Sequence, residues 1–138
     1  MSGILISLFD KQRFEYSYLS STTSQTITFA RALDVTPYMS VTVMARIHRI
    51  TMSAGQSFTF TLQNTLPSFE DPQEFTDTTT TFLTLSVPSS TAAPALLSNN
   101  GVVPQAFLKV ILTATQGGTT GATLYAEMSA CLLLRDQR

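Results

Sequence analysis

The side chains best suited to binding chemistry lie in a short basic segment. Residues 46–49 read Arg-Ile-His-Arg and contain the only His of the 138-residue chain. If this segment is a strand, Arg46 and His48 point to the same side, because successive side chains of a strand alternate between its two faces. Together they could bind an acidic partner or a phosphate. A solvated sheet face is the other interpretation of the same pattern.

Acidic residues are concentrated in a second segment, residues 69–77. It holds four of the nine acidic residues: Glu70, Asp71, Glu74 and Asp77. Loop carboxylates can ligate calcium, but the glycine and alternating Asp or Asn of an EF-hand loop are missing. A glycosidase pair would need two acids held at a fixed separation, which one loop does not provide. We therefore expect a solvated loop whose ends are held to the core by Phe69 and Phe75.

The remaining reactive residues predict no catalytic or metal site. A single Cys closes no intramolecular disulfide, and no Cys/His cluster has zinc-ligand spacing. Cys131 lies in the apolar run 130–134, where a thiol acts as a small core hydrophobe. A hydrolytic triad would need His48 beside a nucleophilic Ser and an acid, and no Ser lies in a G-x-S-x-G segment. We expect neither a catalytic residue nor a cofactor.

The composition narrows the class of protein. The net charge is −1, and only 12% of residues are charged, whereas the chain contains 22 Thr and 15 Ser. A nucleic-acid-binding surface needs a clustered basic face, which this balance argues against. No apolar run reaches the roughly 18–20 residues that span a bilayer. We expect neither nucleic acid nor membrane as a partner.

The first residues do not read as a secretory leader. Residues 1–9 have no basic residue before their short apolar stretch, and no small-residue cleavage site follows it. The sequence therefore predicts synthesis and retention in the cytoplasm, or export by another route. A composition rich in Thr and Ser is common in surface-exposed proteins. A protein that is assembled inside a cell into a particle that later works outside it would combine both features.

Alternating apolar residues predict an all-β chain. About eight strands are indicated, with no substantial helix, as in an antiparallel β-sandwich of jelly-roll type. We expect one domain over residues 1–138, in which residues 1–12 form either an extended N-terminal arm or a short first strand. The connections are predicted as a turn at 53–56, long loops at 64–77 and 88–104, and a hairpin tip at 116–121. One helical turn fits residues 92–97, although Pro94 limits it.

Three segments carry a resemblance to a known class of protein: residues 1–3 (Met-Ser-Gly), residues 31–38 leading into a long strand, and the terminal strand 126–135. With the Thr-alternating strands, they resemble the β-sandwich decoration (cement) and head-auxiliary proteins of tailed bacteriophages. The resemblance implies a non-enzymatic virion protein, made in the host cytoplasm, that binds the major capsid protein at the outer capsid surface. It also implies a homo-oligomer, with a trimer favoured.

The same resemblance implies that a terminal arm and loops reach neighbouring subunits. With Arg46 and His48 from the basic segment, the predicted partner interface comprises Ile4, Leu5, Ile6, Leu8, Phe9, Phe69, Glu70, Asp71, Glu74 and Asp77.

Three other functions remain open from the sequence. A carbohydrate- or receptor-binding module would expose aromatic residues such as Tyr16, Tyr18 or Tyr38 along a shallow groove. Another head or tail component, such as a spike base, would use the same fold. A small hydrolase would need a buried carboxylate partner in a pocket around His48.

Overall fold

Nine strands account for most of the chain. The computed structural model describes residues 3–17, 24–67, 75–76, 81–102, 107–115 and 123–136. Among these residues there is no helix, and hence none long and apolar enough to cross a membrane. The strands are β1 (Gly3–Ser17), β2 (Ser24–Asp34), β3 (Ser40–Thr51), β4 (Ser57–Pro67), β5 (Phe75–Thr76), β6 (Thr81–Pro88), β7 (Ala95–Val102), β8 (Phe107–Thr115) and β9 (Thr123–Arg135).

The strands form two antiparallel sheets. The first sheet has the order β1-β9-β3-β7, and the second has the order β2-β8-β4-β6, with the two-residue β5 paired to the end of β4. Successive long strands of the chain lie alternately in the two sheets. The exception is β4 and β6, which lie side by side in the second sheet. This order is that of a jelly roll. The predicted all-β sandwich of jelly-roll type is therefore confirmed.

The core lies between the sheets and follows the predicted alternation. Every second residue of β8, of β9 and of β3 from Val41 to Ile47 is buried, while the residues between them are half-buried or exposed. Because side chains of a strand alternate between its faces, each sheet contributes one apolar face to the core. The largest fully buried side chains are Phe58, Phe60, Ile47, Leu62, Leu108, Leu112, Leu124, Met128, Leu132, Leu134 and Gln56.

Strand β1 carries an irregularity that keeps two aromatic residues in the core. Phe9 and Phe14 are both buried, although five positions separate them and strict alternation would place them on opposite faces. Between Phe9 and Gln12, β1 advances three residues while β9 advances two, and Lys11 adopts a positive φ of 47°. This bulge restores the inward direction. Phe9 then packs edge-on against Phe14, with ring centroids 5.0 Å apart.

The turn at 53–56 joins the two sheets. The Gln56 backbone N–H donates to the Ser53 carbonyl at 3.0 Å, and the Ser53 N–H donates to Gln56 Oε1 at 2.7 Å. The Gln56 side chain is almost fully buried, so this bond satisfies its carbonyl oxygen in the core. Gly55 has φ of 88°, which favours glycine. The predicted turn is confirmed.

Two predictions about connections are wrong. Strands β8 and β9 belong to different sheets, so residues 116–121 do not connect a hairpin. Residues 95–102, placed in the predicted loop 88–104 and partly assigned to a helical turn at 92–97, form strand β7, which pairs with β3 from Ala95 to Val102. Its sequence contains Asn99, Asn100 and Gly101, which are poor strand formers, so pairing to a central strand overrides local propensity there. Residues 3–12 are the first part of β1, which continues to Ser17.

Candidate functional site

A hydrogen-bonded cluster lies at the middle of the first sheet, on its outer face. Ser129 Oγ on β9 donates to Asp10 Oδ1 at 2.9 Å, and it accepts the backbone N–H of Lys11 at 2.9 Å. On the other side, His48 Nε2 lies 2.9 Å from the same Ser129 oxygen. The Ser129 hydroxyl thus links β1 and β3 by hydrogen bonds to β9, the strand between them.

This cluster forms where both neighbours of β9 are irregular. Opposite Ser129, β1 carries the bulge at Asp10 and Lys11 described above. Between Ile47 and Arg49, β3 advances two residues while β9 advances one, so His48 is the extra residue. Bulges interrupt the ladder of backbone hydrogen bonds and redirect side chains. Ser129 Oγ supplies hydrogen bonds at this interruption.

The order of these hydrogen bonds differs from that of a hydrolytic triad. In a triad, His lies between the nucleophilic Ser and the acid and accepts the Ser proton. Here the Ser129 proton points to Asp10, so His48 Nε2 is the donor to Ser129 Oγ. His48 therefore does not act as a base towards Ser129 in this arrangement. Asp10 is exposed, and it contacts the Ser rather than the His.

Beside the cluster, a groove crosses the outer face of the first sheet. Its volume is about 410 Å³, and Leu5 on β1 and Leu96 on β7, each 62% exposed, contribute to its lining. Met44 and Cys131 on the central strands add further apolar surface. Arg46 also lines it. The remaining lining residues are Ser7, Phe9, Asp10, Ser129 and Ala130.

A smaller depression adjoins this groove at Arg46. It measures about 260 Å³ and is lined by Arg46, His48, Pro94, Ala95 and Leu96. The Arg46 and His48 side chains thus line the same concave surface, as the alternation of side chains along β3 predicts. Among the described residues, Arg46 makes no ion pair or hydrogen bond. We call the two depressions together the β3 groove.

The predicted N-terminal interface residues are divided between surface and core. Ile4 and Leu5 are 44% and 62% exposed, whereas Ile6 and Leu8 are half-buried and pack against the core. Phe9 is a core residue, so its side chain offers a partner almost no surface. The predicted interface residues Phe69, Glu70, Asp71, Glu74 and Asp77 lie outside the described residues, and so does the calcium interpretation of their loop.

Two of the aromatic residues considered for carbohydrate binding pack against the core. Tyr16 and Tyr38 are both half-buried against core residues. Burial raises the pKa of the Tyr16 hydroxyl above its ordinary value. Tyr18 lies outside the described residues. The described part of the chain therefore presents no row of exposed tyrosines.

Cys131 is not the core residue that its apolar run predicts. It is half-buried on the outer face of β9, because its neighbours Ala130 and Leu132 take the inward positions. Burial raises the pKa of its thiol above the ordinary value, which lowers the fraction of reactive thiolate at neutral pH. Within the described ranges, no group of three or more His, Cys, Asp and Glu residues could hold a metal ion.

The outer face of the second sheet has a different character. Across β2, β8, β4 and β6, one row reads Thr26, Thr113, Thr59 and Ser86, and the next reads Thr28, Ile111, Thr61 and Thr84. Neither row contains a charged side chain. This hydroxyl face is the structural result of the Thr-alternating strands seen in the sequence.

No sequence motif predicts the hydrogen-bonded cluster around Ser129. Asp10 and Ser129 are 119 positions apart, and neither lies in a recognisable motif. The only local indication is that Asp10 and Lys11 interrupt an apolar stretch. Sequence reasoning thus found Arg46 and His48 but missed the side chains that hold His48 in place.

Comparison with known proteins identifies the fold. No family model matches the chain, and no curated protein matches its sequence. Among solved structures, the VP2 subviral particle of infectious bursal disease virus is similar, with a TM-score of 0.58 and 23% identity over 96% of this chain. The Gx strain of that virus gives a TM-score of 0.59 at 18% identity over 96% of the chain, and its T13 viral particle gives 0.58 at 20% over 97%.

The likeness covers the whole jelly roll of this chain but only part of the viral proteins. The matched region is 31% of the Gx-strain chain, 32% of the subviral-particle chain and 31% of the T13-particle chain. The present chain thus spans about a third of their length. At these identities the comparison establishes the sandwich fold alone.

Proposed function

We propose that this chain is a non-enzymatic structural component of a virion that packs against capsid subunits and reinforces the shell. The observation that carries the proposal is the jelly-roll sandwich of strand order β1-β9-β3-β7 and β2-β8-β4-β6. A chain of the VP2 subviral particle is structurally similar to it, with a TM-score of 0.58 over 96% of this chain. Jelly rolls are a recurrent building block of viral shells.

The surface chemistry supports this proposal. The two rows from Thr26 to Ser86 and from Thr28 to Thr84 on the second sheet offer hydrogen-bonding groups without charge, so closely packed copies would not repel each other there. A particle repeats each contact many times, and repeated weak contacts add up to firm attachment. The hydrogen-bond order at Ser129 also gives no support to a hydrolase.

In its specific form, the proposal is a capsid decoration protein of a tailed bacteriophage. The chain would bind the major capsid protein on the outer surface of the particle and bridge its subunits. It would act as a homo-oligomer, with a trimer favoured, because symmetric oligomers suit the symmetry axes of a shell. Synthesis would take place in the host cytoplasm.

Co-sedimentation with particles tests this function. The purified chain is mixed with particles assembled from the capsid protein of the same genome and separated on a density gradient, with bovine serum albumin as the control. We expect the chain to travel with the particles at a fixed ratio to the capsid protein, and electron microscopy to place it on the outer surface. A chain that remains at the top of the gradient at every concentration would overturn the proposal.

A further inference from the structure

The β3 groove has apolar walls and also contains the charged guanidinium of Arg46. Among the described residues, no acidic side chain pairs with it. Arg46 lies between the two depressions, beside Leu96, and makes no ion pair there. Among the described residues that line the groove, the acid is Asp10, which accepts the hydroxyl proton of Ser129. An occupant that brings a carboxylate to Arg46 and an apolar side chain to Leu5 and Leu96 would satisfy both parts of the surface.

The sequence contains one segment with this chemistry. Residues 69–75 read Phe-Glu-Asp-Pro-Gln-Glu-Phe, which places two aromatic side chains and three carboxylates within seven positions. Pro72 disfavours helix at the residue before it, which suits a segment lying along a groove. We propose that the β3 groove binds residues 69–75 of a second copy of this chain, with Arg46 and His48 facing its carboxylates.

The topology favours a contact between copies over one within a chain. Segment 69–75 follows the end of β4 in the second sheet, and β5 pairs with Leu66 and Pro67 at that end. The groove lies on the outer face of the first sheet, so a core about 10 Å thick separates the two sheets of one copy. A contact between two different surfaces is head-to-tail, and such contacts form a ring when the rotation between copies closes and an open filament when it does not.

This inference rests on the proposed function, because it assigns the contact that would hold the proposed oligomer together. It also explains the charge pattern of the chain. Arg46 in the groove and the acidic segment 69–77 carry opposite charges in a chain whose net charge is only −1. Opposite patches on one molecule favour ordered self-association and fix its register.

Charge reversal tests the inference by light scattering between about 1 and 100 μM, a range set by typical oligomer affinities. Arg46→Glu is expected to weaken self-association by about tenfold or more, because it removes the attraction and adds repulsion. Arg46 is exposed, so the variant is expected to fold, and circular dichroism checks this. Arg49→Glu, on the same strand outside the groove lining, is the matched control and is expected to associate like the unmodified chain.

A compensating exchange makes the test specific for the partner segment. In the triple variant Arg46→Glu, Glu70→Lys and Glu74→Lys, the charges of the two surfaces are exchanged. We expect it to recover most of the association lost in Arg46→Glu. If Arg46→Glu associates like the unmodified chain, or the triple variant stays as weak as the single one, the inference is wrong.

Cys131 provides a second measurement, because its thiol lies in the lining of the groove. Occupation by a second copy is expected to slow its reaction with a small disulfide reagent as the protein concentration rises. The Arg46→Glu variant is expected to lose this concentration dependence. If light scattering shows that the protein is associated but the labelling rate of Cys131 does not change with protein concentration, the contact between copies does not lie in this groove and the inference is wrong.

Particle binding separates the failure of this inference from that of the proposed function. If Arg46→Glu binds particles and self-associates like the unmodified chain, the inference fails and the proposed function stands. If Arg46→Glu loses particle binding but retains self-association, the groove binds the capsid protein instead, which also overturns the inference. If the unmodified chain is a monomer that ignores particles, both fail.

Discussion

Lys11 and Ser129 are joined by a hydrogen bond of 2.9 Å from the Lys11 backbone N–H to Ser129 Oγ, although 118 positions separate them in the chain. The bond closes the bulge at which β1 changes its inward-facing residues. Without the bulge, Phe9 and Phe14 would lie on opposite faces of the sheet. One hydroxyl on β9 therefore supports the packing of aromatic residues on β1.

Ser129→Ala removes this acceptor and is expected to lower the free energy of unfolding by about 1–2 kcal/mol, since Lys11 N–H and His48 both lose a partner. Chemical denaturation measures the change. Ser98→Ala on β7 is the matched control, because the Ser98 hydroxyl is exposed and makes no hydrogen bond within the described part of the chain. Equal stability of the two variants would mean that Ser129 does not support the bulge.

Phe9→Ala is expected to lower the free energy of unfolding by about 3–5 kcal/mol, the usual cost of removing a buried aromatic ring. Phe9 contacts Phe14, Phe29 and Phe60, with ring centroids 5.0, 5.0 and 6.1 Å away. Leu5→Ala, on the same strand but 62% exposed, is expected to change stability by less than about 0.5 kcal/mol. Thermal unfolding of both variants measures the two losses of stability. Similar losses would contradict the assignment of Phe9 to the core.

Gly55→Ala is expected to cost about 1 kcal/mol, because φ of 88° brings the new Cβ towards the backbone. Gly55→Asn is expected to lose less, since Asn tolerates positive φ better than Ala does. Denaturant titration of the two variants measures the difference. If Ala is tolerated as well as Asn, the turn does not require this conformation.

The Asp34 carboxylate accepts hydrogen bonds from the Thr36 hydroxyl and from the Thr36 backbone N–H, the latter at 2.9 Å. These bonds, the hydroxyl foremost, lower the pKa of Asp34 below its ordinary value. A lowered pKa in the folded state adds stability above the ordinary pKa of the carboxyl group, and that stability is lost as the pH falls through the folded-state pKa.

Thr36→Val is therefore expected to raise the pKa of Asp34 towards its ordinary value while the backbone bond remains. An NMR titration of the Asp34 carboxyl carbon measures it, with Thr42→Val as the control. A titration midpoint unchanged by Thr36→Val would contradict the role of the hydroxyl.

The β class, the alternation of the core strands and the turn at 53–56 could be predicted from the sequence. Residues such as Phe58, Phe60 and Leu62 alternate with Thr because one strand face is buried and the other is not. This signal is local, with a period of two residues, so it survives without knowledge of the partner strands. The same signal placed Arg46 and His48 on one side of β3.

Only the tertiary structure decided which strands pair and where the alternation breaks. The sequence predicted a hairpin around residues 116–121, but β8 and β9 join different sheets, because β9 pairs with β1 at the other end of the chain while β8 pairs with β4. At the bulges, Lys11 and His48 likewise bond to a hydroxyl of β9, which is distant in the sequence. A period of two residues determines which side chains of a strand share a face. The fold as a whole determines what that face meets.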